Sequence, residues 1–472
     1  MQSAESDYVT WAEVLRGRYA ASVLLCCLGV WLHAADALVV TTMMPAIVAE
    51  IGGDRIVAWN FALYDTGSIV AGAATGLVAL RFGIRAPMIA AALLFASGCM
   101  LSAAAPSMPV LLAGRVAQGL GGGGLVSLSF VAVTRIFPER MMPRAFAAMS
   151  VAWGASAFAG PLVGGVFVTY GSWRLGFVAF AVQAALLALW FRFGIGKGAA
   201  PEGTAGAAQL PVRRLALLCG AVLGVAYAGI AGSVVFMAIS LALGVAALAL
   251  FAWLDGRSGA DRLWPHRAFD LRHPTGAALV MILAMNIATM GLAAYGPLLM
   301  DLIHGTEPLV AGYIVAIISI GWTLSAVVVS GQPPRRDPVF IFVGMTLILS
   351  SVAGLCYAVA AGPLWLIAVC AAAEGVGYGM AWTFIVRRAG RLAVAGDGDR
   401  LTAALPTIGR LGYALGASTM GIFANAAGFD ASASAAEAGG VARAIFLGSL
   451  PIAALGWLAM LRFVTFRGQG NV

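Results

Sequence analysis

Four ionisable side chains lie well inside long apolar stretches of this sequence, and they are its best candidates for chemistry. They are Asp36, Asp65, Arg115 and Glu374. A charged group is costly in lipid, so each should face a protein interior or a watery cavity. A helix rises about 1.5 Å per residue, and counting along the stretches places all four in the outer half or near the middle of a membrane. The sequence therefore predicts that these groups converge on one zone, as a central cavity requires.

Asp36 is the residue that we expect to carry a proton. A carboxyl group can take up and release a proton as its surroundings alternate between dry protein and a neighbouring arginine, because these surroundings have opposite effects on ionisation. His33 lies one helical turn away on the same face and is a candidate relay. Two alternatives stay open. Asp36 could form a fixed pair with Arg115 that only holds helices together, and His33 could be a packing residue.

Asp65 and Glu374, together with Arg410 in a later apolar stretch, are candidates for contact with a substrate. Asp65 could be a second carboxyl group for a proton or a cationic substrate, or a wall residue that faces water. Glu374 lies in EGVGYGMAW, among small and aromatic residues, where an acid could recognise a cationic drug or form a hydrogen bond across helices. Arg410 could contact substrate, or it could bond to neighbouring carbonyl groups as a structural pin. None of these choices is settled by residue type alone.

Aromatic side chains in the apolar stretches could stack on a lipophilic or cationic ligand. We expect only a few to do so, because others should face lipid or lie in an interfacial belt. The candidates are Tyr64, Trp59, Trp153, Tyr295, Trp322 and Trp382.

The composition indicates the class of protein in which these residues are positioned. Of 472 residues, 61% are hydrophobic and 10% charged, with a mean hydropathy of +0.94, so a charged soluble surface is not available. The chain is predicted to be an all-α integral membrane protein. Its net charge of +8 lies mainly in short loops, where topology explains it, so we expect no nucleic-acid partner. The six cysteines lie in apolar stretches without C-x-x-C spacing, which predicts no metal site.

Fourteen apolar stretches are long enough to cross a bilayer, and no stretch has the shorter length of a cleavable signal peptide. They suggest two pseudo-symmetric six-helix bundles with an inserted helix pair, a 6 + 2 + 6 arrangement of the kind that transporters with repeats use. The predicted spans are 20–46, 57–80, 87–105, 108–134, 145–170, 173–195, 213–231, 234–254, 275–299, 309–330, 338–360, 363–386, 401–427 and 442–464. The corresponding segments are an N-terminal segment 1–19, a bundle 20–195, a linker with the inserted pair 196–274, a second bundle 275–464 and a tail 465–472.

The distribution of arginine and lysine predicts the orientation, because short cytoplasmic loops are enriched in both. With the N-terminus inside, only Arg55, Arg174 and Arg443 fall in outer segments. Both termini are then cytoplasmic, in a plasma membrane such as the bacterial inner membrane. No G-x-x-x-x-G-K-[ST] loop occurs, so we expect no nucleotide or other cofactor and a proton gradient as the energy source. The expected partners are a small-molecule substrate, protons and the lipid bilayer, and we expect a monomer.

Several motifs at these positions resemble the major facilitator superfamily, specifically its fourteen-helix drug:proton antiporter branch. The fourth stretch carries Arg115-x-x-Gln118-Gly119-x-Gly121, similar to a motif whose arginine is implicated in proton coupling. The fifth carries Gly160-Pro161-x-x-Gly164-Gly165, which resembles a motif typical of exporters. Further matching segments are HAADALVVTTMMPAI in the first stretch, Ser172-Trp173-Arg174, LWPHRAF and TIGRLGYALG. The resemblance thus spans nearly the whole chain.

One segment departs from the family pattern. The loop after the second stretch keeps the glycine and arginines of the gating motif, Arg81, Gly83 and Arg85, but has Leu80 where the resemblance implies an aspartate. In the family that aspartate takes part in a charge relay that stabilises the outward-open state.

The function implied is proton-coupled export of amphipathic small molecules or drugs, cationic ones among them, by alternating access. The alternatives on the same fold are a dedicated exporter of one metabolite or siderophore, and a proton symporter for uptake; the Leu80 departure leaves room for these. A membrane enzyme is disfavoured, because the histidines show no metal-ligand spacing and no nucleophile–base pair stands out. A receptor would bring a soluble domain, and no loop is long enough for one.

Overall fold

The computed structural model describes residues 9–53, 59–194, 211–230, 233–306, 308–394, 396–428 and 434–466. Every long regular element among them is an α-helix, as the composition predicts. Residues 196–210 of the predicted linker segment 196–274, the end of the predicted tail from 467 and the outer Arg55 lie outside the described residues. The helices of the first half are α1 (Trp11–Val14), α2 (Gly17–Ile51), α3 (Trp59–Phe82), α4 (Arg85–Ala103), α5 (Met108–Ile136), α6 (Met142–Tyr170) and α7 (Trp173–Gly194).

Two helices lie in the sequence between the seven helices of the first half and those of the second half. The pair is α8 (Val212–Ile230) and α9 (Val234–Gly256), which pack against each other. The remaining helices are α10 (Pro274–Ala288), α11 (Met290–His304), α12 (Pro308–Val329), α13 (Asp337–Ala361), α14 (Leu364–Leu392), α15 (Gly398–Ala426) and α16 (Ala435–Thr465).

Among the described residues, 12 spans are long and apolar enough to cross a membrane, and α10 and α11 together form one of them. The other two long helices, α8 and α15, are not in this set. Helix α15 carries Asp399, Arg400 and Arg410, which lower its hydropathy, and α8 begins with Arg213 and Arg214. The chain is therefore an all-helical membrane protein, while the count of fourteen and the 6 + 2 + 6 arrangement are not confirmed.

Most predicted helix limits lie within a few residues of those observed, with four clear corrections. The first helix, predicted to end at 46, continues to Ile51. The predicted helix 275–299 is wrong as a single element, because the chain breaks at Thr289 into α10 and α11. The Thr289 hydroxyl donates to the Met285 carbonyl (3.1 Å) at this break. The predicted helix 363–386 continues to Leu392, and the predicted start at 442 moves back to Ala435, where Ser434 caps α16.

Glycines allow α5 to approach its neighbours at backbone distance. A side chain at Gly121 would meet the Phe95 backbone nitrogen on α4 at 2.5 Å, and one at Gly123 would collide with Ser68 on α3. Such contacts without side chains are typical of membrane helix interfaces. The four-glycine run Gly121–Gly124 is thus a packing surface, as its place inside an apolar helix predicts.

Many charged side chains gather at one end of the bundle, where α5 and α14 finish and α15 starts; we call it the basic end. Asp397 lies there and holds the segment after α9: Arg262 donates to its Oδ1 (2.8 Å), and the backbone N–H of His266 donates to its Oδ2 (2.7 Å). Burial acts to raise the pKa of Asp397, but these hydrogen bonds outweigh burial and leave its pKa below the usual range. The segment between the inserted pair and α10 is therefore tied to the start of α15.

Candidate functional site

A cavity of about 350 Å³ lies between the two halves of the molecule, at the lower end of the range for small-molecule pockets. Helices α2, α3, α5 and α6 line it on one side, and α10, α12, α14 and α15 on the other. Its lining is largely apolar and aromatic with a few polar groups. The polar and aromatic members are Asp65, Phe130, Phe146, Ser150, Trp153, Asn286, Ser319, Trp322, Thr323, Trp382, Arg410 and Tyr413.

One ion pair joins the two halves at the cavity wall. Arg410 on α15 donates to Asp65 Oδ1 on α3 over 3.0 Å. The Asp65 side chain is 48% exposed and that of Arg410 is 17% exposed, so the pair is open to the cavity. The Arg410 guanidinium also lies over the Trp153 ring, 5.5 Å from its centroid. Arg410 thus has a partner in the opposite half, which neither the motif nor the spacing identifies, and its contact with substrate stays a prediction.

A second ion pair is entirely buried within the first half. Arg115 on α5 donates to Asp36 Oδ2 on α2 over 2.5 Å, and both side chains have no exposed area. Arg115 also donates to Gln118, whose amide donates to Ser102 Oγ (3.0 Å). Among the described residues, Asp36 Oδ1 has no hydrogen-bond partner. The pairing that the sequence left open is thus present, and it can be either fixed or part of a proton cycle.

Tyr64 connects the buried pair to the cavity. Its ring lies under Arg115, with the guanidinium carbon 4.1 Å from the ring centroid. Its hydroxyl is 2.7 Å from His33 Nδ1 and 2.9 Å from the His33 carbonyl. The hydroxyl has one proton, so if it donates to the carbonyl, Nδ1 must carry a proton and donate to the hydroxyl oxygen. His33 in turn approaches the cavity-lining Trp153 (6.1 Å between centroids).

Glycine makes room for this link. A Cβ at Gly122 on α5 would lie 2.6 Å from His33 Nδ1 and 3.2 Å from the Tyr64 hydroxyl. His33 is hydrogen-bonded to Tyr64, and among the described residues it forms no hydrogen bond with Asp36. Contacts thus run from Arg115 through Tyr64 and His33 to Trp153, and the relay role of His33 stays a prediction.

The predicted aromatic residues divide into two groups. Trp153, Trp322 and Trp382 line the cavity. The other three do not: Tyr64 is buried behind the wall, Trp59 packs near Tyr227 (6.2 Å), and Tyr295 lies beside Gly421. Residue type and membrane depth do not separate these groups, because the direction of each side chain depends on helix rotation.

Glu374 lies next to the cavity and does not line it. It is 3% exposed, and its Oε2 has no hydrogen-bond partner among the described residues. The three intramembrane acids are therefore unequal, because Asp36 and Asp65 each pair with an arginine and Glu374 does not.

The glycine–proline motif of α6 packs against the helix that carries Asp36. A Cβ at Gly160 would lie 2.6 Å from Leu38 Cβ, and one at Gly164 would lie 2.9 Å from the Val39 carbonyl oxygen. Pro161 follows Gly160 in the chain, and Gly165 has open space. Two glycines of the motif thus set the distance between α6 and α2 one turn from Asp36.

The gating motif forms the turn between α3 and α4. Gly83 has φ +69°, a left-handed conformation that glycine adopts without strain. The Arg81 guanidinium lies over the Phe82 ring (5.1 Å), and Arg85 begins α4. Leu80 is half-buried in the last turns of α3.

Several site residues were missed from the sequence. Gln118 carries a detectable signal, because it lies three residues after Arg115 and therefore on the same helix face. Phe130, Asn286 and Tyr413 carry none, since they become neighbours only when the two halves meet.

Comparison with known proteins agrees with this architecture. The family model described as Major Facilitator Superfamily matches residues 26–218. A probable multidrug-efflux transporter of Mycobacterium tuberculosis is 29% identical over 437 residues, covering 90% of this chain and 92% of the relative. A segment of 154 residues is 31% identical to azole resistance protein 1 of Saccharomyces cerevisiae, covering 33% of this chain and 25% of that protein.

Two solved structures share the fold at low sequence identity. The human organic anion transporter MFSD10 superposes with a TM-score of 0.66 at 15% identity, over 93% of this chain and 99% of that one. The proton:xylose symporter XylE superposes with a TM-score of 0.61 at 15% identity, over 94% of each chain.

Proposed function

We propose that the chain is a membrane transporter of the major facilitator superfamily, not an enzyme, and that it exports amphipathic small molecules, cationic ones among them, in exchange for protons. The observation that carries the proposal is the buried pair of Asp36 and Arg115 beside the central cavity. A buried ion pair contributes little net stability compared with apolar residues, so its presence in a membrane interior favours a working role.

The pair supplies a mechanism for coupling. A proton on Asp36 removes the negative charge that Arg115 contacts, and Arg115 is then left with Gln118 and the Tyr64 ring. Because Gly160 and Gly164 hold α6 against α2, a shift of α2 on protonation also moves a cavity-lining helix. The pair of Asp65 and Arg410 must break when the two halves separate on that side, so its strength helps to set the balance between states.

The proposed direction of transport is supported by a relative, and the proposed orientation is supported by the distribution of charge. By the positive-inside rule, the basic end and both termini lie on the cytoplasmic side of a bacterial inner membrane. In this arrangement α8 and α15 bring the number of spans to fourteen. Helix α15 packs against α3 and α10, where its charged residues avoid lipid. Arg213 and Arg214, at the start of α8, then lie at the membrane surface. The multidrug-efflux name of the mycobacterial relative supports export over uptake, in an exporter that acts as a monomer.

The test is transport of a lipophilic cation dye driven by a pH gradient in proteoliposomes, comparing the wild type with Asp36→Asn. We expect gradient-dependent movement in the wild type and its loss in the variant, with dye binding retained. Asp301→Asn is the control, because that acid is exposed at the far end of α11.

Two results would contradict the proposal. If the wild type moves no dye under either gradient direction, a dedicated exporter of one metabolite or siderophore, or a proton symporter, becomes the better account. If Asp36→Asn transports like the wild type, Asp36 is a structural partner of Arg115 and the coupling acid lies elsewhere.

A further inference from the structure

Asn60 is a fully buried asparagine whose side chain is not hydrogen-bonded. The residue has 0% exposure, and neither its Oδ1 nor its Nδ2 has a partner in the part of the chain that the structure describes. A buried amide group without hydrogen bonds is costly, because it has given up its bonds with bulk water. Internal water molecules satisfy many such groups in proteins. Asn60 therefore marks a polar site inside the first half of the molecule.

The buried ion pair has unbonded polar atoms of its own. Arg115 uses Nη1 for both Asp36 Oδ2 and Gln118, whereas its Nε and Nη2 have no partner among the described residues. Asp36 Oδ1 is unbonded in the same sense. The guanidinium group supplies donors and the carboxylate oxygen is an acceptor. An internal water needs two to four polar partners, and the pair offers both kinds.

The register of α3 against α5 is fixed by two glycine contacts. A Cβ at Gly119 would collide with the Tyr64 backbone, and one at Gly123 would collide with the Ser68 backbone. From the first contact to the second, both chains advance by four residues in the same direction. The two helices therefore run parallel and in step.

This register places Asn60 beside Arg115. One further step of four residues toward the start of both helices leads from Tyr64 to Asn60 and from Gly119 to Arg115. Asn60 and Tyr64 lie on the same face of α3. The Tyr64 ring contacts the Arg115 guanidinium, 4.1 Å from its central carbon. The unbonded atoms of Asn60, Arg115 and Asp36 thus belong to one buried region between α2, α3 and α5.

Asn60 approaches the pair from the end of the bundle opposite the basic end. It is the second residue of α3, and the next residue, Phe61, is 41% exposed. Arg115 lies seven residues into α5, about 10 Å from the start of that helix. Asn60 does not line the cavity, and Tyr64 stands between the pair and the cavity wall. The polar region therefore lies on a side of Asp36 that the cavity does not occupy.

The titratable and charged groups that face Asp36 come from four helices. They are His33 on α2, Tyr64 on α3, Cys99 on α4 and Arg115 on α5. Helices α6 and α7 meet α2 through Gly160, Gly164 and Gly176. Arg115 balances the charge of Asp36, so a proton that reaches Oδ1 does not meet an uncompensated positive charge.

We infer that internal water held between Asn60 and the buried pair delivers protons to Asp36 from the outer end, by a route separate from the substrate cavity. The inference rests on the proposed proton-coupled export and adds the place where the proton enters. A protonated water gives its proton to Asp36 Oδ1: one O–H bond of that water breaks, and one forms on the carboxyl group. Asn60 is a positioning residue that holds the water and takes up no proton itself. A substrate in the cavity then leaves the proton route open.

Two transport assays with the full chain in proteoliposomes test this route. In the first, a pH gradient drives radiolabelled tetraphenylphosphonium. In the second, the label exchanges for unlabelled tetraphenylphosphonium at equal pH, which requires no net proton movement. Asn60→Leu keeps the approximate size of the side chain and removes its polar atoms. We expect it to slow gradient-driven transport by about tenfold or more and to leave exchange unchanged.

Two further variants make the comparison specific to water at this position. Asn60→Ser keeps a polar group and leaves space for water, so it should slow gradient-driven transport much less than Asn60→Leu does. Asn425→Leu is the same substitution at a half-buried asparagine on α15 and should match the wild type in both assays.

Four results would count against the inference. Gradient-driven transport by Asn60→Leu at the wild-type rate overturns it while proton-coupled export stands. Equal loss in both assays also overturns it, because a structural defect impairs exchange as well as coupling. If Asn60→Leu does not fold, a wild-type structure that resolves internal water decides, and no water bonded to Asn60 and Arg115 overturns the inference. If the wild type exchanges label but a pH gradient drives no transport, the proposed coupling fails and the inference falls with it.

Discussion

The buried pair of Asp36 and Arg115 is surrounded by groups that keep Arg115 in place when its charge partner is neutralised. Gln118 accepts a hydrogen bond from the guanidinium group, and the Tyr64 ring lies 4.1 Å below it. Truncating one partner of a buried ion pair costs about 3–5 kcal/mol, whereas adding a proton keeps the shape and leaves these contacts. Such an arrangement suits a pair that opens and closes repeatedly.

The Tyr64 ring contacts Arg115 and its hydroxyl contacts His33, and substitutions can remove these two contacts separately. Tyr64→Phe keeps the ring under Arg115 and removes the hydroxyl contacts with His33. We expect it to retain pH-driven transport and to lose about 1 kcal/mol of stability, the typical net value of one hydrogen bond. Tyr64→Ala removes the ring as well and should abolish coupled transport. Dye transport in proteoliposomes and thermal unfolding in detergent measure these effects; equal loss of transport in both variants would instead make the His33 link essential.

Part of this site can be predicted from single residues. Counting along helices puts Asp36 and Arg115 at similar depth, and that is enough to propose that they meet. The pair of Asp65 and Arg410 could not be predicted, because its members are 345 positions apart and belong to different halves. The rotation of α3 and α15 decides whether they meet, and rotation depends on packing that no local pattern records.

At the scale of helices, the basic end is held together by ion pairs between the halves. Arg135 at the end of α5 bonds to Asp399 at the start of α15 through both carboxylate oxygens, and Arg391 Nε lies 2.7 Å from Glu139 Oε1. Gly76 of α3 also lies against the Arg400 backbone. These contacts close the basic end although Leu80 stands where a gating aspartate is expected.

The ion pairs predict how that end opens. Asp399→Asn combined with Glu139→Gln should weaken the closure and lengthen the distance across it. Spin labels at Phe82→Cys and Val394→Cys, both exposed positions, report that distance by double electron–electron resonance once the native cysteines are replaced.

A charge-swap variant and a control variant show whether the change in distance depends on the ion pairs of the basic end. The charge swap Arg135→Asp with Asp399→Arg should restore the short distance, and Asp301→Asn at the other end should leave it unchanged. An unaltered distance distribution in the Asp399→Asn and Glu139→Gln variant would show that packing at Gly76, and not charge, closes the basic end.

Helix limits show what a sequence pattern can and cannot provide. Apolar runs mark the middle of each helix well, but α14 continues through Arg387, Arg388 and Arg391, which a hydropathy pattern excludes. These arginines find partners elsewhere: Arg387 pairs with Asp337, and Arg388 donates to the Phe466 carbonyl (2.6 Å). The break at Thr289 was missed because it is stabilised by Tyr378 from another helix.

At the scale of the whole molecule, the number of spans depends on α8 and α15. Both helices lie within the packed structure: Ser418 of α15 donates to the Val225 carbonyl of α8 (2.8 Å), and α8 packs on α3. Charged residues lower the hydropathy of both helices: those of α15 face neighbouring helices, and Arg213 and Arg214 lie at the start of α8. Composition alone therefore underestimates both helices. The membrane class follows from sequence, whereas the span count depends on these two helices.

Labelling in intact cells tests the proposed fourteen spans. A membrane-impermeant maleimide should fail to modify Arg272→Cys, between α9 and α10, and should modify Ala361→Cys, at the end of α13; both positions are exposed. If α8 does not cross the membrane, both results reverse, because every later segment changes side. Labelling after membrane disruption is the control that both cysteines are reactive.

The most direct test of the account is whether substrate binding expels a proton from Asp36. Tetraphenylphosphonium is added to the detergent-purified chain in weakly buffered solution, at a pH at which Asp36 is protonated before substrate binds, and a pH indicator follows release of that proton. The account predicts release by the wild type and by Asp301→Asn, and none by Asp36→Asn with substrate still bound. Equal release from Asp36→Asn would contradict it, because the proton would then come from another group and the buried pair with Arg115 would be structural.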